Sequence, residues 1–174
     1  MKIEDLVEIH LSQYSDKFCI YTEKGLKNLD NVGIFKYNKL MELCKENDLQ
    51  PLVFCVPPWV WFDGLYVMFC DKGVVKIRCR AIKNSTQKAD FSCEICQYIS
   101  YEKINSVFMK KGTLGLGYDL YIGVSSKPGF FDNPPHISIF DARDKNPEIL
   151  YPCILKSIYN FINAVNRNCK FYEG

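Results

Sequence analysis

Residues Phe62–Ser106 constrain this chain more than any other stretch, because they alternate with a period of two and turn back on themselves. Leu65–Cys70 runs into the turn signal Asp71-Lys72-Gly73, and Val74–Lys83 returns from it. Successive side chains of a strand point to opposite faces. Val75, Ile77, Cys79 and Ala81 therefore share one face, and Lys76, Arg78 and Arg80 share the other. Phe91, Cys93, Ile95, Gln97 and Ile99 form the apolar face of a third strand, which ends in Tyr98-Ile99-Ser100-Tyr101. With the intervening loop centred near Gln87, Arg80 stands opposite Glu94.

The rest of the chain falls into place around this sheet. Ile3, Leu6, Val7, His10, Leu11 and Tyr14 recur at helical spacing, and Tyr37–Asn47 carries a second stripe of Leu40, Met41, Leu43 and Cys44. Phe18–Thr22 is ambiguous, and the polar Lys24–Asn31 reads as a loop. From Pro51 the period becomes two. Leu52–Val56 is a strand that Pro57-Pro58 either ends or confines to an edge. Further strands are expected at Ile104–Met109, Tyr118–Val124 and His136–Phe140, with a glycine-rich connection at Lys110–Gly117 and a long loop at Ser125–Pro135.

The last element is the clearest. Ile154, Leu155, Ile158, Phe161, Ile162 and Val165 make one helical stripe. Pro152 is tolerated in a first turn but not in an interior, so this helix should start near Tyr151, with Asn146-Pro147-Glu148 a separate turn. Strands without intervening helices, followed by a terminal helix, give the α+β class. At 174 residues the expected organisation is a helical extension over residues 1–50 and one β-rich domain over 51–174.

Charge excludes little beyond a dedicated nucleic-acid binder, since the net charge is +2 and the pI about 8.0. The nine cysteines are odd in number and irregularly spaced, and several lie among apolar strand residues, as Cys55, Cys70 and Cys79 do. A free thiol there behaves as a small hydrophobe. Together with an acidic, amphipathic start, MKIEDLVEIH, they predict a reduced, cytoplasmic protein. No apolar run approaches the roughly 20 residues that span a bilayer.

Phe62-Asp63-Gly64-Leu65-Tyr66-Val67-Met68-Phe69, the turn Asp71-Lys72-Gly73-Val74 and Tyr98-Ile99-Ser100-Tyr101-Glu102-Lys103-Ile104 resemble the bacterial pleckstrin-homology-like domains. The likeness covers about residues 50–167, including the Leu116–Gly123 strand and the terminal helix. It implies a bent, roughly seven-stranded antiparallel barrel capped by a C-terminal helix. It also implies binding, because this scaffold carries no common active site. Function must then be argued from a site.

Candidate chemistry is sparse. Cys93-Glu94-Ile95-Cys96 has CxxC spacing, but a zinc site wants a second pair or two histidines, and His10 and His136 each stand alone. In strand sequence, residues three apart point to opposite faces, which argues against a redox pair. Gly112-Thr113-Leu114-Gly115-Leu116-Gly117 has neither the order of a dinucleotide fingerprint nor the ending of a P-loop. No nucleophile elbow or hydrolytic triad is present. No cofactor, no metal and no enzymatic activity are expected. An unrecognised enzyme is the third reading, which a pocket holding His136 beside a perturbed carboxylate would raise.

Binding features are clearer. Trp59 and Trp61 follow a Pro-Pro, and Phe130-Phe131 sit in SSKPGFFDNPPH, where flanking glycine and prolines make burial hard. Trp59 and Trp61 share a face whose default place is the core or an adjoining groove. Phe130-Phe131 is either a contact loop or a hydrophobic latch folding back on the barrel. Exposed loop aromatics mark partner surfaces more often than polar loops do. The leading expectation is a protein-binding module that uses these four residues, either as a partner receptor or as an immunity-type protein that neutralises another protein. The alternative uses Lys72, Lys76, Arg78 and Arg80 to hold an acidic lipid headgroup or a phosphate, since converging cations, arginine above all, suit phosphate oxygens.

Overall fold

The computed structural model describes residues 1–22, 25–27, 37–55, 64–82, 91–112, 117–124 and 134–174. The N-terminal stripe forms α1 (Ile3–Leu11), continued by a 3-10 turn at Ser12–Tyr14. The Lys2 N–H donates to the Asp5 carboxylate at 3.0 Å, which satisfies a donor at the start of the helix. Next come β1 (Phe18–Thr22), β2 (Gly25–Lys27) and α2 (Tyr37–Glu46). Residues 1–50, expected as a helical extension, thus supply two strands as well as two helices. β2 also falls inside the expected Lys24–Asn31 loop, recruited as a strand by the edge of β1.

The hairpin stretch folds as its alternation demands, into β4 (Gly64–Cys70) and β5 (Gly73–Ala81), preceded by β3 (Pro51–Cys55) and followed by β6 (Phe91–Ser100). The antiparallel sheet runs β2-β1-β3-β4-β5-β6. β3 is therefore interior and not an edge, because β1 covers its outer side. After a 3-10 turn at Tyr101–Lys103 come β7 (Ser106–Lys111), β8 (Tyr118–Gly123) and β9 (His136–Ile139). They are followed by α3 (Pro147–Val165) and β10 (Lys170–Glu173). The second sheet runs β10-β7-β8-β9, with β10 parallel to β7. Among the described residues no ladder joins the two sheets, and they are not closed into a barrel.

The first sheet is covered on both faces. Val53, Val67, Phe69, Val74 and Ile99 pack into one core with α1, α3 and the second sheet. Phe54, Tyr66, Met68, Val75, Ile77 and Cys79 pack into another with Leu40 and Cys44 of α2. A bulge sorts β6 between the two. Lys76 pairs with Gln97 and Ile77 with Ile95, which leaves Cys96 without a register partner. One extra residue reverses the faces. Cys93 and Ile95 therefore join the α2 side while Ile99 joins the other, and the single apolar face expected from Cys93 to Ile99 is split.

The terminal helix is longer than expected. It starts at Pro147 and carries Pro152 in its interior. An interior proline costs about 3 kcal/mol, whereas each fully buried Ile, Leu or Phe side chain contributes about 2 kcal/mol. Ile154, Leu155, Ile158, Phe161 and Ile162 are all buried, so packing outweighs the lost hydrogen bond. At its far end the Asn166 amide donates to the carbonyls of Tyr101 and Ile104, at 2.8 and 2.7 Å, and ties α3 to the corner between the sheets.

Candidate functional site

Trp59, Trp61, Phe130 and Phe131 lie outside the described residues. The basic quartet can be placed, and it does not converge. Lys72 sits in the β4–β5 turn, and its Nζ donates to the Asp48 carbonyl at 2.7 Å and to the Asp48 carboxylate at 2.5 Å. That partner exists because α2 ends in a Schellman motif. The Leu49 N–H reaches the Cys44 carbonyl and the Asp48 N–H reaches that of Lys45, with Asp48 left-handed at φ 52°. A cation at a helix C-terminus is favoured in its own right. The hydrogen bond from Lys72 holds the Asp48 carboxyl below, and the Lys72 ammonium above, their ordinary ranges.

Lys76 is 4% exposed. It pairs across the sheet with Val67, on the face that packs toward the second sheet, and within reach of the charge on His136. Burial lowers its pKa. Alternation was right about which residues share its face, but that face is a second interior. Arg78 stands opposite Glu94, at 3.4 Å, and Arg80 opposite Ser92. The register places Ile77 on Ile95 and Cys79 on Cys93, and this shifts Glu94 from Arg80 to Arg78. The stripe emerges into solvent from Arg78, whose side chain is 42% exposed, to the exposed Arg80.

His136 stacks on Tyr121 with ring centroids 5.3 Å apart, and the Lys110 ammonium lies over the same Tyr121 ring, 4.9 Å from its centroid. Burial lowers the His136 pKa, and Lys76 and Lys110 add to that against the opposing charge of Asp119. His10 is half-buried on α1. Among the described residues no group of three or more His, Cys, Asp or Glu could hold a metal. No described helix is long and apolar enough to cross a membrane.

Two surfaces went unseen in the sequence. The first is an open groove of about 650 Å³ between α2 and the β4–β5 turn, lined by Met41, Glu42, Lys45, Leu49, Asp71 and Lys72 among others. Its lining carries the carboxylates of Glu42, Asp48 and Asp71 and the ammoniums of Lys45 and Lys72, of which Lys72 and Asp48 are paired. The second is the outer edge of β6. This strand is ten residues long, and among the described residues it pairs only with β5. Ser92, Glu94, Cys96 and Tyr98 are exposed along it, while Cys93 and Ile95 are half-buried toward α2. The sequence signal was its length, but which strand ends a sheet depends on partners far along the chain. Compared with family models, curated proteins and solved structures, the chain matches none.

Proposed function

We propose that this chain is a non-catalytic module that binds another protein, and that it takes an extended segment of that partner along β6. The observation that carries this is the ten-residue β6, whose outer edge has no strand partner among the described residues. Proteins usually blunt such an edge with short strands, lysine, proline or bulges, because its free N–H and C=O groups template a further strand. β6 has one bulge at Cys96, and no lysine or proline from Phe91 to Ser100. Strand addition would give main-chain affinity, with alternate side chains reading the α2 flank on one side and the Arg78–Glu94 pair on the other. Trp59, Trp61, Phe130 and Phe131, outside the described residues, remain the aromatics proposed to widen that contact.

The scaffold reading is pleckstrin-homology-like. Its support is the order of seven strands, β3 to β9, followed by α3, and the approach of β4 to β9, where a bent barrel would close. The second reading is an acidic headgroup or phosphate on Lys72, Lys76, Arg78 and Arg80. It requires Lys72 to leave Asp48, Arg78 to leave Glu94 and Lys76 to leave the core.

The test is a photo-crosslinking residue placed at Ser92 or Glu94 in the cell of origin, with Lys156 on the exposed side of α3 as control. A protein adduct from the β6 positions and none from Lys156 is expected. Adducts from Lys156 alone would overturn the placement. Salt-sensitive binding to acidic vesicles, lost in Arg78→Glu plus Arg80→Glu, with no protein adduct, would select the second reading.

A further inference from the structure

The CxxC spacing directs attention to Cys93 and Cys96, but the fold gives Cys93 a different neighbour. Cys79 and Cys93 are register partners on β5 and β6, with their Sγ atoms 2.8 Å apart. Directly opposed antiparallel residues have Cα atoms about 4.5–5.5 Å apart, inside the span of about 4.4–6.8 Å that a disulfide bridges without backbone movement. Cys96 is the bulged residue and has no register partner.

We propose that Cys79 and Cys93 are a redox-responsive dithiol, which closes to a disulfide between β5 and β6 when it meets a low-molecular-weight disulfide oxidant. The two sulfurs are unequal in the way such chemistry needs. Cys93 is half-exposed on the edge strand and meets the oxidant, whereas Cys79 is fully buried behind it. The hydrogen bond from Cys79 lowers the Cys93 pKa against the effect of burial, and the charge of Lys39 on α2 assists. Cys79 is pushed up by that same pairing and by burial, so it stays a thiol until its turn. The thiolate is the attacking species in such exchange. Cys44 and Cys70 are a second hydrogen-bonded pair, but both are fully buried and an oxidant cannot reach them.

With oxidised glutathione the steps balance. The Cys93 thiolate attacks one glutathione sulfur, the glutathione S–S bond breaks, and a glutathione thiolate leaves. The Cys79 sulfur then attacks Cys93, the mixed disulfide breaks, and the second glutathione thiolate departs with the Cys79 proton. Two cysteine thiols lose two electrons, and one glutathione disulfide gains them.

The experiment treats the reduced full chain with oxidised glutathione, traps remaining thiols by alkylation, and maps the peptides by mass. The expected product has lost two hydrogens and joins the Cys79 peptide to the Cys93 peptide, while Cys44 and Cys70 stay reduced. Cys79→Ala should hold one glutathione on Cys93, and Cys93→Ala should leave Cys79 unmodified. First oxidation at Cys96 or Cys153, a Cys44–Cys70 bridge, or no oxidation would overturn the proposal. The wild-type map alone decides this if a variant fails to fold.

Discussion

Asn166→Ala should destabilise the chain by about 2–3 kcal/mol, through two carbonyls that are unequal. The Tyr101 carbonyl also accepts from the Ile104 N–H at 3.0 Å, so it keeps a partner when the Asn166 amide is removed. Losing that bond costs an ordinary hydrogen bond, about 1 kcal/mol. The Ile104 carbonyl accepts from Asn166 at 2.7 Å beside a side chain that is fully buried, and stranding it adds about 1–2 kcal/mol of desolvation. Urea unfolding should show a lower midpoint with an unchanged slope, and a melting temperature roughly 5–10 °C lower for a chain of this size. Asn166→Asp keeps the acceptor for the Asn168 N–H but aims a carboxylate at two carbonyls, so it should be worse than alanine. Asn166→Ala within 0.5 kcal/mol of wild type, on the scale of a neutral surface change, or Asp better than Ala, would show that this corner does not depend on the amide.

Tyr101→Phe should cost about 1–2 kcal/mol by calorimetry, because it keeps the edge-on contact with Phe161 but removes the hydroxyl that donates to the buried Cys70 carbonyl at 2.7 Å. Acid should destabilise the loop before α3. Hydrogen bonds from the Arg143 side chain and backbone hold the Asp141 carboxyl well below its usual range. A depressed carboxyl contributes stability that is present above the unfolded pKa of about 3.9 and lost as pH falls below it. Arg143→Gln should therefore flatten the stability-against-pH curve below about pH 4 and leave an otherwise parallel curve above it. Phe130→Ala plus Phe131→Ala should abolish partner pull-down at an unchanged melting temperature. Equal loss of both would assign the pair to the core.

The elements legible in the sequence were those whose pattern is local. The stripes of α1 and α2, the β4–β5 hairpin and its Asp71-Lys72-Gly73 turn were all readable within a dozen neighbouring residues. Pro152 misled because a local penalty was weighed without the core that Ile154, Leu155 and Phe161 enter. β10 was missed because its four residues gain strand structure only from β7, more than sixty positions earlier. The Lys72 partner depends on where α2 stops, and the Cys93 partner on a register set across two strands.

The misreadings of Lys76 and of β6 share one physical cause. Alternation says that two sets of residues point apart, but it does not say what lies on either side. A sheet with one wet face would have put Lys76, Arg78 and Arg80 in water together. Here α2 covers one face, and α1, α3 and the second sheet cover the other, so alternation separates two cores. Covering both faces leaves a sheet its margins for recognition, and among the described residues these include the outer edge of β6 and the exposed Arg80. A ligand that needs several cations on one face finds them divided between core and ion pairs. A partner that needs only main-chain donors and acceptors finds the outward-facing ones on alternate residues of β6, which has no second strand partner among the described residues.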